Sequence, residues 1–247
     1  MSIILLTCDT KLPKCSNRIR WETSVQNQNL NYYVMSNGLK WEGWKWRIQQ
    51  YLDTLLKLNN ENKYKYAIIT DCWDLIIQRN LTLDDYTKLD NCIYLGAEKQ
   101  KTGILEFNEK YDKNPWYNIN GGFSIGKISN LVTFYTEVIN KWNTCVDHMS
   151  RKHTNKQHVT DQHVISYVYL YSKFPFTLKL DISKEFVLNF TRDVTQEDYI
   201  IESDYIYSKT NKNVYLPIAL HNPGNPTLPI NKLEKIFDNI VYKKKLL

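Results

Sequence analysis

Apolar residues in this chain occur either in short runs or at helical spacing, and the two patterns alternate. Ser2-Ile3-Ile4-Leu5-Leu6-Thr7-Cys8 reads as a buried parallel strand ending in the polar Asp9-Thr10. A helix carrying Ile19, Val25 and Leu30 follows, then a second strand, Asn31-Tyr32-Tyr33-Val34-Met35. Residues 36–43 read as a loop that carries Trp41, and they give way to a helix from Trp44 to Leu58, with Trp44, Ile48, Tyr51, Leu52 and Leu55 on one face. Tyr64 to Thr70 forms a third strand, Leu75-Ile76-Ile77 a further apolar run, and Cys92-Ile93-Tyr94-Leu95-Gly96 a strand ending in Ala97-Glu98. Lys127 to Cys145 is amphipathic, and Val159-Thr160-Asp161-Gln162-His163 opens another helix, in which Thr160 or Asp161 suits the N-cap. Beyond Thr177, short strands alternate with polar loops up to a final apolar strand, Val214 to Leu220, which delivers His221 into a Gly/Pro-stiffened turn. This rhythm predicts an α/β protein whose mostly parallel sheet has helices on both faces.

Composition narrows the class. At 247 residues, 43% hydrophobic and 13% aromatic, the chain can bury a sizeable core. Its formal charge of +6 is partly concentrated in Lys243-Lys244-Lys245 and otherwise dispersed, and no nucleic-acid-binding motif accompanies it, so no nucleic-acid partner is expected. Five cysteines, widely spaced and without a CxxC pair, suggest neither a disulfide framework nor a zinc site and fit a reducing, cytoplasmic-type compartment. The segment Met1 to Thr7 is too short for a signal-peptide core, and no run reaches transmembrane length. Sequons at Asn80 and Asn189 matter only in a secreted chain.

Candidate chemistry gathers at strand ends, where ligands bind in open α/β sheets. Asp71-Cys72-Trp73-Asp74 places two carboxylates three residues apart between an apolar strand and a second apolar run. Such a pair suits Mg²⁺ or Mn²⁺, or else closes a turn and caps the next segment. Trp41 is either an edge of the core or a stacking surface for a ligand base. The polar segment from Lys99 to Trp116 reads as an excursion over the active face. In Asn120-Gly121-Gly122-Phe123-Ser124-Ile125-Gly126, three glycines mark a bend, a bulged hairpin or a close approach of backbone to another group. His148, His153, His158 and His163 recur every five residues, on different helix faces, and form no zinc site. His221 reads as a structural hydrogen-bonder or a ligand.

Taken in order from Ile3 to His221, these pieces resemble the glycosyltransferase domain of the procollagen lysyl hydroxylases and, more widely, GT-A-fold nucleotide-sugar transferases. Asp71-Cys72-Trp73-Asp74 is similar to the family's Asp-x-x-Asp strand end, Trp41 and Lys45 to its Trp loop and following Lys, and Asn120 to Gly126 to its Gly-Gly segment. Asp161-Gln162 resembles its Asp-Gln helix start, and His221-Asn222-Pro223-Gly224 its late His turn. The resemblance implies a single GT-A domain over 1–247, with a Rossmann-like, mostly parallel sheet and flanking helices. It implies that Asp71, Asp74 and His221 hold Mn²⁺, that Trp73 or Trp41 stacks on the uracil of a UDP-sugar, and that Thr7 and Asp9 meet the nucleoside. Lys45, Asn222 and the backbone at Gly224 would face the phosphates. Asn120, Gly121 and Gly122 would line the sugar pocket, with Asp161 and Gln162 against sugar hydroxyls or acceptor, and Glu98 as a further carboxylate.

The activity so implied is transfer of a hexose, glucose foremost, from a UDP-sugar to galactosylhydroxylysine of a collagen-like polypeptide, with retention of configuration. UDP-galactose transfer to hydroxylysine, transfer to another glycan, or UDP-sugar binding without turnover are the alternatives. The chain departs from the family at Pro223 and Thr227, where Asn and Lys are usual, and at Gln157-His158-Val159-Thr160, where an acidic run is usual. It also has no His-x-Asp iron motif, so the expectation is a stand-alone transferase.

Overall fold

The computed structural model describes residues 2–99, 104, 106, 110, 116, 118–152, 159–191, 193–202, 205–210, 213–223, 235, 238, 239 and 241. The first half alternates strand and helix: β1 (Ile3–Cys8), α1 (Ser16–Asn27), β2 (Asn31–Met35), α2 (Trp44–Glu61), β3 (Tyr66–Thr70), β4 (Leu75–Ile77), α3 (Leu83–Leu89) and β5 (Cys92–Glu98). Then come β6 (Asn118–Lys127), α4 (Ile128–Lys152), α5 (Asp161–Tyr171), β7 (Thr177–Leu180), β8 (Val187–Asn189), β9 (Tyr199–Glu202), β10 (Tyr205–Lys209), β11 (Val214–Tyr215) and β12 (Ala219–His221).

The main sheet has the order β2-β1-β3-β6-β5-β7. β1, β2 and β3 pair in parallel, as do β5 and β7, while β6 runs antiparallel between β3 and β5. This is the mostly parallel α/β sheet that the alternating pattern predicts. The reversal of β6 matters for the site, because it brings the start of that strand, Asn118 to Gly122, to the same edge as the carboxyl ends of β1, β3 and β5. Thr70 faces Phe123 and Glu98 faces Asn118 across the ladders. A register shift opposite Leu95 and Gly96 makes the glycine segment of β6 a bulge inside a strand.

Both faces of the sheet are covered, as unbroken apolar strands require. Ile4, Leu6, Ala67 and Ile69 pack towards α2, α4 and α5, whereas Ile3, Leu5, Tyr66 and Ile68 pack towards α1 and α3. In α1 the buried anchor is Trp21, whose indole N–H donates to Thr70 Oγ1 at 3.1 Å, and Ile19 is 46% exposed. Sequence spacing expects Ile19 in the core, but the larger Trp21 takes that face. Trp44 is likewise outside the core, 37% exposed, leaving Ile48, Tyr51, Leu52 and Leu55 to carry the stripe of α2. That helix closes at Asn62 in the left-handed conformation, a common helix stop. α3 opens on a capping box between Thr82 and Asp85.

A small sheet, β4-β12-β8, stands beside the main one, with β12 antiparallel to β4 and parallel to β8. The last apolar run forms two strands instead of one, since Pro217 lacks the N–H that a continuous ladder needs. A third sheet, β11-β10-β9, completes the chain's second half. All five cysteines are free thiols. No described helix is long and apolar enough to cross a membrane.

Candidate active site

Three elements bring the Asp71, Asp74 and His221 side chains together. β3 ends at Thr70, so Asp71 leaves the sheet at its carboxyl edge, and its backbone N–H donates to Gly122 O at 3.0 Å. Asp74 immediately precedes β4, whose first residue, Leu75, pairs with His221 of β12. The Asn222 N–H closes the corner on Asp74 O at 2.8 Å. One potential ligand atom from each of Asp71, Asp74 and His221 then lies within 4.8 Å of the others.

His221 is almost wholly buried. Its Nε2 faces Asp74 Oδ1 at 3.2 Å and Asp71 Oδ2 at 3.8 Å, yet has no well-aligned hydrogen bond. Burial alone would lower the imidazole's pKa, but the carboxylates of Asp74 and Asp71 outweigh it and hold the ring above its ordinary value. Burial pushes the Asp71 carboxyl up as well, against the pull of Arg47, and Asp74 adds like-charge repulsion. Gly122 closes the floor: a Cβ there would stand 2.5 Å from His221 Cε1 and 2.6 Å from Asp71 Oδ2. Concentrated negative charge, a buried nitrogen without a hydrogen bond and a floor free of side chain fit a divalent cation.

Beside this corner is a polar network. Glu98, at the end of β5, accepts from Asn120 Nδ2 and Gln162 Nε2, both at 2.9 Å. Asn120 Oδ1 accepts the Gly122 N–H at 2.9 Å, and Gln162 Oε1 the Gly121 N–H at 3.4 Å. Asp161, the first residue of α5, follows the N-cap Thr160, whose N–H donates to His163 Nδ1 at 3.2 Å. Arg47 of α2 joins network and corner, one guanidinium nitrogen bonding Asp161 and another Asp71 Oδ1 at 2.8 Å. Burial opposes its charge, but Asp161 and Asp71 keep the guanidinium firmly protonated.

A cavity of about 530 Å³ opens in front of the corner, lined by Asp71, Asp74, Arg47, Asp9, Lys11, Cys8, Cys72 and the rings of Trp41, Trp44 and Trp73. The Trp73 indole N–H donates to Asp9 Oδ1 at 3.2 Å, and Lys11 Nζ stands 3.6 Å above that ring. Trp41 makes edge contacts with Trp44 and Trp46. Asp9 is itself fixed by Arg18, with 3.3 Å between Nη1 and Oδ2.

Of the residues singled out in the sequence, Asp9, Trp41, Asp71, Trp73 and Asp74 line the cavity, His221 stands beside the two carboxylates, and Glu98, Asn120, Asp161 and Gln162 belong to the neighbouring network. Thr7 is fully buried and does not line the cavity. Lys45 is exposed and outside it, and Arg47, two residues on, supplies the cation. Asn222 is half-buried beside Asp74, and Gly224 lies outside the described residues, as do His153 and His158. His148 Nε2 lies 3.0 Å from Glu106 Oε1. Arg47 and Lys11 are the site residues that sequence reasoning missed.

Neither protein-family models nor curated proteins match the chain by sequence. Solved structures do match. One is a glycosyltransferase involved in the glycosylation of the major capsid of PBCV-1, with a TM-score of 0.53 over 100% of both chains at 10% identity. At that identity the likeness is one of fold alone.

Proposed function

We propose that this protein is a metal-dependent glycosyltransferase that moves a hexose from a UDP-sugar. The observation that carries the reading is the convergence of Asp71, Asp74 and His221 at a cavity walled by Trp41 and Trp73. Two carboxylates and an imidazole suit Mn²⁺ better than Mg²⁺ or Ca²⁺, which favour all-oxygen shells. When bound there, Mn²⁺ supplies electrophilic stabilisation of the departing diphosphate.

The protein's own groups account for the rest of the reaction. Trp73, oriented by Asp9, offers a ring to the base, with Trp41 as the second aromatic wall. Arg47 and Lys11 bring positive charge to the side of the cavity where the diphosphate would lie. We assign the sugar to the side of the bulge at Gly121 and Gly122, where Asn120, Glu98 and Asp161 supply polar groups and Gln162 is locked against Glu98. With transfer retaining configuration, no dedicated general base is needed, and stabilisation of the leaving group dominates. Following the family resemblance, we assign glucose as the sugar and galactosylhydroxylysine of a collagen-like chain as the acceptor.

The test is release of UDP from a panel of UDP-sugars with Mn²⁺ or chelator, with and without a galactosylhydroxylysine peptide. Metal-dependent release from UDP-glucose that rises with the peptide is the expected result. Release that ignores the peptide removes the collagen acceptor, and no release from any donor, with UDP still bound, leaves a binding module.

A further inference from the structure

Asn189 ends β8 beside His221 and is completely buried. Its Nδ2 donates to Ala97 O of β5 at 2.8 Å, and its Oδ1 lies 2.7 Å from His221 Nδ1. The Ala97 carbonyl can only accept, so it fixes which way round the amide sits. Turned over, the amide would set two acceptor oxygens against each other. Oδ1 therefore faces the imidazole, and it too can only accept, so Nδ1 must carry a proton. The neutral ring then has its lone pair on Nε2, the atom that faces Asp71 and Asp74 without a well-aligned hydrogen bond.

Backbone geometry holds Asn189 in place. Asn189 and His221 are register partners in the parallel β8–β12 pair, and Phe190 N–H donates to His221 O at 2.7 Å. On the other side, a Cβ at Gly96 would stand 3.3 Å from Asn189 Nδ2, so the strand carries glycine where the amide passes. The side chain thus ties the small sheet to the main one at the carboxyl edge where the site is built.

From this arrangement we infer that Asn189 is a positioning residue, which locks His221 in the Nδ1–H tautomer and so presents Nε2 as a ready metal ligand. A hydrogen bond from the non-ligating ring nitrogen commonly sets tautomer and orientation in metal-binding histidines. The inference rests on the metal reading above. It also removes Asn189 from use as a glycosylation site in the folded chain, since the sequon amide is buried and engaged.

The first measurement needs no metal. In ¹⁵N-labelled, metal-free protein, at a pH alkaline enough to keep imidazoles neutral, long-range ¹H–¹⁵N correlations report the tautomer of each histidine. The His221 signals are identified by their loss in His221→Gln. The expected result is the Nδ1–H form, kept in Asn189→Asp, which retains the acceptor, and lost in Asn189→Leu. Calorimetric Mn²⁺ affinity should fall about 10–100-fold in Asn189→Leu and stay within about threefold in Asn189→Asp.

An Nε2–H ring in the unsubstituted protein overturns the inference, as does undiminished Mn²⁺ affinity in a folded Asn189→Leu. Equal losses in both variants overturn it too, because both give up the bond to Ala97 and only packing would then matter. Should Asn189→Leu fail to fold, the unsubstituted protein and Asn189→Asp still decide. An Nδ1–H ring in a protein that binds no Mn²⁺ supports the lock and overturns the metal reading instead.

Discussion

At the His221 corner two carboxylates crowd one imidazole, whereas close by, around Glu98 and Asp161, the charged groups interlock with hydrogen-bonding partners. Asp71 and Asp74 crowd an imidazole nitrogen that has no well-aligned hydrogen bond, and burial and like charge push the Asp71 carboxyl upward. Glu98, by contrast, accepts from two side-chain amides, and Asp161 is held by Arg47. Buried polar groups that are satisfied stabilise a fold, while those left uncompensated cost it stability and commonly mark a place for a ligand. Substitutions in the corner should therefore damage function more than stability, and substitutions in the network should do the reverse.

The largest effect is expected at Asp74, whose side chain is 32% exposed. Asp74→Asn removes one anionic ligand and should lower UDP-sugar turnover by about a hundred- to a thousandfold. Its unfolding free energy should fall by no more than about 1 kcal/mol, since the lost attraction to His221 is offset by relief of the repulsion from Asp71. Urea melts alongside turnover assays check both halves, and a large loss of stability would contradict the contrast. Arg47→Met touches both regions, because the guanidinium bonds Asp71 of the corner as well as Asp161 of the network. It leaves Asp161 buried without its partner and should cost about 3–5 kcal/mol of stability, read from the same urea melts.

These residues were not equally legible in the sequence. Asp71 and Asp74 stand out because they are neighbours at the end of an apolar strand, a relation that local pattern reports directly. The order of motifs pointed to His221, since nothing near it in sequence shows that β12 pairs with β4 and sets it beside Asp74. Arg47 was overshadowed by Lys45, because basic residues in a helix read as its solvated face. The signal that finds it is spacing: Arg47 lies four residues before Tyr51 on the buried side of α2, whereas Lys45 does not. Asn189 gave no such signal. Its role exists only through Ala97 and His221, residues distant in sequence, and locally it reads as no more than a sequon. The elements were read well wherever apolar runs were long, and the split of the last strand at Pro217 shows where a run was longer than its ladder.

Within the network, Glu98→Gln keeps size and shape but replaces one acceptor oxygen with a donor. It would then set an N–H₂ group against the donating amide of Asn120 or Gln162. The expected cost is about 1–3 kcal/mol of stability, with Mn²⁺ affinity nearly unchanged. Reduced metal affinity at full stability would place Glu98 with the corner and erase the boundary drawn here.

The finest division falls between two adjacent glycines. A Cβ at Gly121 would meet Asp161 at 3.5 Å, an ordinary contact, so Gly121→Ala should fold and bind Mn²⁺ within about twofold of the unsubstituted protein. One residue further on, the added methyl of Gly122→Ala would lie 2.5 Å from a buried imidazole carbon and 2.6 Å from a carboxylate oxygen, too close for either to remain in place. His221 is held from behind by Asn189, so the movement must open the corner itself. Mn²⁺ affinity should fall about tenfold or more, measured by calorimetry on the two variants side by side. If both alanines bind equally well, the floor at Gly122 is not part of the metal site and the corner is looser than its geometry indicates.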